Sequence, residues 1–257
     1  MNERGEPAQR GRFAAAWDDY VRHAGPGGAR WPGDEWGDEA LWRRWFADLF
    51  VPYGVAGWER AIEIGQGSGK YTAMVLAAGH ATVAALDVSP QFQAVCAQRL
   101  ATEVAAGRLH LRTIDERDPD ALAHAAAALG WTGRTDAVFS IDVLVHLTTT
   151  QIAALLLAAT RALRPGGVFV GTFADATSDA GRHKLLQDVD RVVGAAGDPT
   201  TGCFHWTSPE IVRALASRCG YTVELCRTDP FHGRDGQFVL RFSDPAAAAA
   251  ADRLRRR

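Results

Sequence analysis

The chain has 257 residues, 47% of them apolar and 23% charged, with a formal net charge of −2. That length makes one large domain or two small ones with a substantial core, and the balance excludes a disordered or fibrous protein. The near-neutral charge gives no global pull towards nucleic acid or an anionic membrane. Cys96, Cys203, Cys219 and Cys226 form no CxxC pair and no disulfide framework, which fits reduced thiols. The polar N-terminus lacks the apolar stretch of a secretory signal, and no run approaches the roughly 20 residues of a membrane helix, so a cytoplasmic protein is expected.

The first 58 residues hold Trp17, Trp31, Trp36, Trp42, Trp45 and Trp58, six of the eight tryptophans. Helices are expected over 12–23 and 38–50, with a turn-rich stretch between them. Residues 1–58 therefore read as a helical cap, either packed on a core or closing as a lid over a pocket. From residue 59 short apolar runs alternate with amphipathic helices. The runs lie at 60–64, 81–87, 108–113, 136–141 and 167–173. Ser89-Pro90 opens one helix, with Phe92, Val95, Cys96 and Leu100 on a face and Gly107 as terminator. Thr149 or Thr150 opens another, which Pro165-Gly166-Gly167 closes. Apolar strands alternating with helices make a parallel sheet covered on both faces. Ser208-Pro209 caps a helix carrying Ile211, Leu215 and Cys219. Strands at 221–227 and 237–242 then follow with too short a loop for a crossover, so they pair antiparallel. Residues 245–257 read as a loose helix or a disordered tail.

Glu63-Ile64-Gly65-Gln66-Gly67-Ser68-Gly69-Lys70 joins the first strand to its helix, and its glycines admit a ligand close to the backbone. It fails the phosphate loop GxxxxGK[ST], because Ile64 stands five before Gly69 and Tyr71 follows Lys70. It also fails GxGxxG, whose third glycine would fall at Lys70. Glu63 suits a cation better than a pyrophosphate, such as the ammonium and sulfonium of S-adenosylmethionine. Asp87 ends the second strand, where a carboxylate can accept from both hydroxyls of a ribose. Asp115, after the third strand, can accept from an adenine amino group.

With these motifs in order, residues 59–243 resemble the class I S-adenosylmethionine-dependent methyltransferases of the small-molecule type. The matching stretches are AIEIGQGSGKYT, VAALDVS, DAVFSIDVLVHL, RALRPGGVFVGTF and FHWTSPEIVRALASRCGYTVEL. The resemblance implies an α/β, Rossmann-like seven-stranded sheet of order 3-2-1-4-5-7-6, strand 7 antiparallel, with helices on both faces and an N-terminal helical cap. Domain boundaries follow at 1–58, 59–244 and 245–257. It implies cofactor contacts from Glu63, Gly65, Gln66, Gly67, Gly69, Asp87, Val88, Asp115, Ser140 and Trp36, and no metal.

Asp142, Val143 and His146, after the fourth strand, should border the transferable methyl. A hydroxyl acceptor benefits from a general base, for which His146, His205 and His232 are the candidates. An Asp142–Asp175 pair on Mg²⁺ is the metal-assisted alternative. The chain lacks the Asp/Asn-Pro-Pro-aromatic motif of amine-directed nucleic-acid enzymes, a Pro-Cys nucleophile and a basic stripe, so nucleic acid is not the expected acceptor. The expectation is methyl transfer to O or N of a small metabolite by a monomer or homodimer. The alternatives are a non-catalytic cofactor- or partner-binding domain, an RNA-directed methyltransferase and a nicotinamide dehydrogenase.

Overall fold

The computed structural model describes residues 11–23, 31–193 and 204–256. Two helices come first, α1 (Arg12–His23) and α2 (Glu39–Leu49), close to where the sequence places them. Asp38 starts α2 by accepting from the Leu41 N–H at 2.6 Å. The alternating region follows as β1 (Arg60–Ile64), α3 (Lys70–Ala78), β2 (Thr82–Asp87), α4 (Pro90–Arg99) and α5 (Ala101–Ala105). It continues with β3 (Leu109–Thr113), α6 (Ala121–Ala128), β4 (Thr135–Ser140), α7 (Thr149–Ala162), β5 (Leu163–Asp175) and α8 (Asp179–Val193). The chain ends with β6 (Trp206–Thr207), α9 (Pro209–Arg218), β7 (Tyr221–Thr228), β8 (Asp235–Phe242) and α10 (Pro245–Arg255).

The sheet runs 3-2-1-4-5-8-7, with β6 beside the end of β5. Strands β1 to β5 are parallel, and β8 lies antiparallel to both β5 and β7. This is the expected order with the last two numbers raised by one, because the two-residue β6 is too short to leave a period-2 signal. Helices α6, α7, α9 and α10 cover one face through residues such as Leu122, Ile152, Leu156 and Val212. On the other face Trp45, Leu49 and Phe50 of the α2 region join Val75, Leu76 and Cys96 of α3 and α4. Among the described residues no helix is long and apolar enough to cross a membrane.

Several local readings need correction. Helix α7 begins at Thr149, one of the two expected positions, and the residue that caps it is Thr148, in a reciprocal capping box with Gln151. Pro165, Gly166 and Gly167 lie within the start of β5 and do not form a separate helix stop. The helix after Ser89 breaks at Leu100, which leaves α5 as a separate turn. On α9 the inward side chains are Val212 and Ala216, with Cys219 beyond, while Ile211 is 43% exposed. Of the two readings for the C-terminal segment the helix holds, as α10, but it is docked and not loose: Asp244 caps it, Ala248 is buried and Arg255 pairs with Asp120 at 2.7 Å.

Candidate active site

The first β-to-α turn sets the geometry. Gly65 has φ +69° and donates its N–H to Leu86 O at 2.6 Å; a Cβ there would stand 2.4 Å from Val143 Cγ2. Only glycine satisfies both the left-handed backbone and that close approach. Gly67 differs, because a Cβ on it would meet only the Phe92 ring at 3.8 Å. Its requirement is the backbone angle, φ +53°, and not space filled by a side chain.

A cavity of about 790 Å³ opens at the carboxyl ends of β1, β2 and β4, inside the usual size range of small-molecule sites. Of the residues singled out in the sequence, Glu63, Gly65, Gln66, Gly67, Trp36, Asp87, Val88, Asp115, Asp142 and His146 line it. Five do not. Gly69 precedes α3 and faces Cys96, Ser140 is fully buried and donates to Ile64 O at 3.2 Å, and His205, outside the lining, donates its backbone N–H to Val145 O at 2.7 Å. His232 also stands outside it, its Nδ1 3.1 Å from Asp235. Asp175 is fully buried and accepts from Thr177 and Thr228, so its oxygens are committed within the protein.

The carboxylates differ in environment. Glu63 accepts from the Thr72 hydroxyl, and burial first, then Asp87, push its pKa up to about 8. Asp87 accepts from the N–H groups of Gly67 at 3.1 Å and Ser89 at 2.8 Å; burial nevertheless raises it to about 6. Asp142 is also raised to about 6, by burial and then by Asp235, against the opposing effect of Lys70. Its φ of +60° is unusual for a non-glycine residue, and its N–H is held by Thr172 Oγ1 at 2.9 Å. Asp115 is held low by Arg117, which bonds the carboxylate through its guanidinium and N–H.

Several contributors carry no motif. Trp17 of α1 lines the cavity, its ring 5.3 Å from His146, 5.6 Å from Trp36 and 6.2 Å from Phe92. The signal available was the face of α1: Phe13 and Asp18 are buried on it, and Trp17 falls four residues after Phe13. Asp18 reaches the turn after β2, accepting from Ser89 Oγ at 2.6 Å and the Gln91 N–H at 3.2 Å. Residues 31–37 form a strap tied to the glycine loop. Asp34 pairs with Arg99 at 2.9 Å, Lys70 Nζ donates to Gly33 O at 3.0 Å, and Tyr20 donates to Glu35. The Gly25-Pro26-Gly27-Gly28 part of the turn-rich stretch between α1 and α2 lies outside the described residues.

Residues 62–169 match a family model described as a methyltransferase domain. A search of curated proteins finds no match. Among solved structures, one concerned with conversion of a disulfide bond into a thioacetal group during echinomycin biosynthesis is 18% identical, with TM-score 0.59, over 95% of this chain and 97% of that one. Magnesium protoporphyrin IX methyltransferase from Synechocystis PCC 6803, with bound S-adenosylhomocysteine, is 17% identical at TM-score 0.56 over 80% and 81%. An O-methyltransferase from neocarzinostatin biosynthesis, in complex with S-adenosylmethionine and 2-hydroxy-5-methyl naphthoic acid, is 16% identical at TM-score 0.52 over 80% and 56%. These likenesses establish the fold.

Proposed function

We infer that this chain, a class I S-adenosylmethionine-dependent methyltransferase, moves a methyl group from S-adenosylmethionine to an oxygen or nitrogen of a small metabolite by in-line displacement. The observation that carries the reading is the convergence of Glu63, Gly65, Asp87, Asp142 and His146 on one cavity that α1 and the strap cover with Trp17 and Trp36. The residues fit the donor. The Gln66 side-chain amide is buried in the lining with neither its oxygen nor its nitrogen bonded within the protein, which suits a polar ligand. Asp87 keeps acceptor capacity for a ribose diol beyond its two backbone N–H groups.

When bound, S-adenosylmethionine supplies a methyl activated by a sulfonium. Asp87 and Val88 would hold its ribose side, and Glu63 and Asp142 would face its positive charges. Gly65 lets the loop approach without a side chain between. The rings of Trp17, Trp36 and Phe92 exclude water and offer faces to a cation. His146 borders the cavity beside Trp17, placed to take the proton of a hydroxyl acceptor. A covered cavity of about 790 Å³ suits a nucleoside donor with a small acceptor better than a polymer.

Titration calorimetry with S-adenosylhomocysteine and with NAD tests the donor, and turnover on a panel of hydroxylated and amino metabolites tests the acceptor. Binding of the first ligand only, with methylation of a panel member, is expected. Tight NAD binding without S-adenosylhomocysteine binding would overturn the reading.

A further inference from the structure

We propose that Lys70 and Tyr71 form a carboxylate-binding subsite at the strap end of the cavity. Lys70 is the first residue of α3 and lines the cavity. Its ammonium donates to Gly33 O at 3.0 Å and stands 4.2 Å from the centre of the Trp42 ring. Among the described residues it forms no ion pair. The acids that influence it are engaged elsewhere: Asp34 with Arg99 at 2.9 Å, and Glu35 with Tyr20 and the Gly33 N–H. Asp142, which lines the same cavity, acts on it by charge without pairing. A largely buried ammonium with donors to spare is costly unless an anion meets it. Burial lowers its pKa, in keeping with a cation that lacks a close counter-ion.

Tyr71 supplies the second, independent observation. Its side chain is 4% exposed and lines the same cavity, and its hydroxyl has no hydrogen-bond partner. The ring is stacked on Phe50 at 6.1 Å, which holds the hydroxyl in place. The first N–H groups of α3, with no side-chain cap, add their partial positive charge at the same end. Asp142 gives the cavity the opposite sign nearby, and Glu63 adds to it when a bound cation draws off its proton, so the chemistry complemented is a carboxylate beside an ammonium or other cation. That carboxylate belongs either to the amino-acid end of the donor or to the acceptor, and the inference rests on the donor reading above.

The test uses the full chain and the variants Lys70→Met, Lys70→Gln and Tyr71→Phe. Titrants are S-adenosylhomocysteine and 5′-deoxy-5′-(3-aminopropylthio)adenosine, the same molecule without its carboxylate. If the carboxylate is the donor's, Lys70→Met weakens the first ligand tenfold or more and the second less than twofold. Tyr71→Phe then weakens the first several-fold in the same selective way. If it is the acceptor's, S-adenosylhomocysteine affinity stays within twofold. The wild-type complex with it then binds acetate or benzoate, and Lys70→Met does not. The melting temperature of Lys70→Met should not fall, because an unpaired buried cation is removed; should that variant not fold, Lys70→Gln and Tyr71→Phe decide. Equal weakening of both nucleosides would overturn the proposal. So would unchanged S-adenosylhomocysteine affinity together with carboxylate binding that is absent or indifferent to Lys70. A wild-type chain that binds no S-adenosylhomocysteine would count against the donor reading instead.

Discussion

Glu63 holds its proton to about pH 8, far above the ordinary 4.5, because the folded chain removes it from water and sets Asp87 nearby. For an acid raised in this way, the folded state binds the proton more tightly than the unfolded one. The stability it contributes is complete below pH 4.5 and lost as pH rises through 8. Asp87 repeats the pattern between 3.8 and about 6, whereas Asp120, Asp136 and Asp252 are lowered and act at more acid pH. His232, raised by Asp235, adds a loss in the same direction above 6.5. Thermal melting of the protein alone should therefore fall from pH 5 to pH 8.5, and Glu63→Gln should flatten part of that slope. A cationic ligand prefers the ionised carboxylates, so S-adenosylmethionine affinity should rise between pH 6 and 8 with release of protons to buffer. Affinity that is flat over that range, with no proton release in buffers of different ionisation enthalpy, would remove Glu63 from the cation's surroundings. Asp87→Asn should cost about 1.5–3 kcal/mol of S-adenosylhomocysteine binding, the range for a hydrogen bond to a charged group. Unchanged affinity in calorimetry would end its ribose assignment.

The turn between β1 and α3 separates two kinds of glycine. Gly67→Ala meets open space and bears only the left-handed backbone, about 1–2 kcal/mol. Gly65→Ala adds a Cβ 2.4 Å from Val143 Cγ2, so it should melt lower than Gly67→Ala and lose S-adenosylhomocysteine binding. Equal melting temperatures would show that Val143 yields freely. This turn was legible because its chemistry is local: three glycines, an acid two residues before the first, and an apolar strand ahead. The parallel strands were legible for a similar reason, since burial on both faces leaves continuous apolar runs such as Ala61–Ile64. What failed was set by distant partners. Ile211 is more apolar than Ala216, yet its position on α9 turns it outward. Ser140 sits at the right point in the chain, but Ile64 O takes its hydroxyl, and a backbone bond from the His205 N–H to Val145 O holds that residue outside the cavity lining. Lys70 looked only like the residue standing where a GxGxxG loop needs its third glycine. Its place over Trp42 comes from a segment 28 positions earlier, which no spacing rule reveals.

At the scale of the whole molecule, the described residues before β1 are attached in two different ways. Trp45, Leu49 and Phe50 are at most 2% exposed and pack with Val75, Phe139 and Val170 on one face of the sheet. Burying each such side chain contributes about 1.5–3 kcal/mol, so together they approach the roughly 5–15 kcal/mol by which a domain is stable. Residues 11–23 and 31–37 hold on differently, by Asp18 on Ser89, Ala14 N–H on Glu116 at 2.9 Å, Asp34 on Arg99 and the rings around Trp17. These contacts surround the cavity mouth and leave the sheet's core intact if removed. Deleting residues 1–37 should therefore leave a folded chain with native-like circular dichroism and a modestly lower melting temperature. Its S-adenosylhomocysteine affinity should drop at least tenfold, because Trp17 and Trp36 no longer cover the site and Asp18 no longer fixes the turn beside Asp87. Deleting residues 1–58 should abolish folding, since it opens the core between α3 and the sheet. In the intact chain, S-adenosylhomocysteine should change tryptophan fluorescence, and Trp17→Phe should reduce that change more than Trp31→Phe, because Trp17 lines the cavity while Trp31 lies under Arg99. Full affinity and turnover in the 1–37 deletion would mean that α1 and the strap only pack against the domain. A soluble, folded 1–58 deletion would mean that α2 belongs to the cap after all.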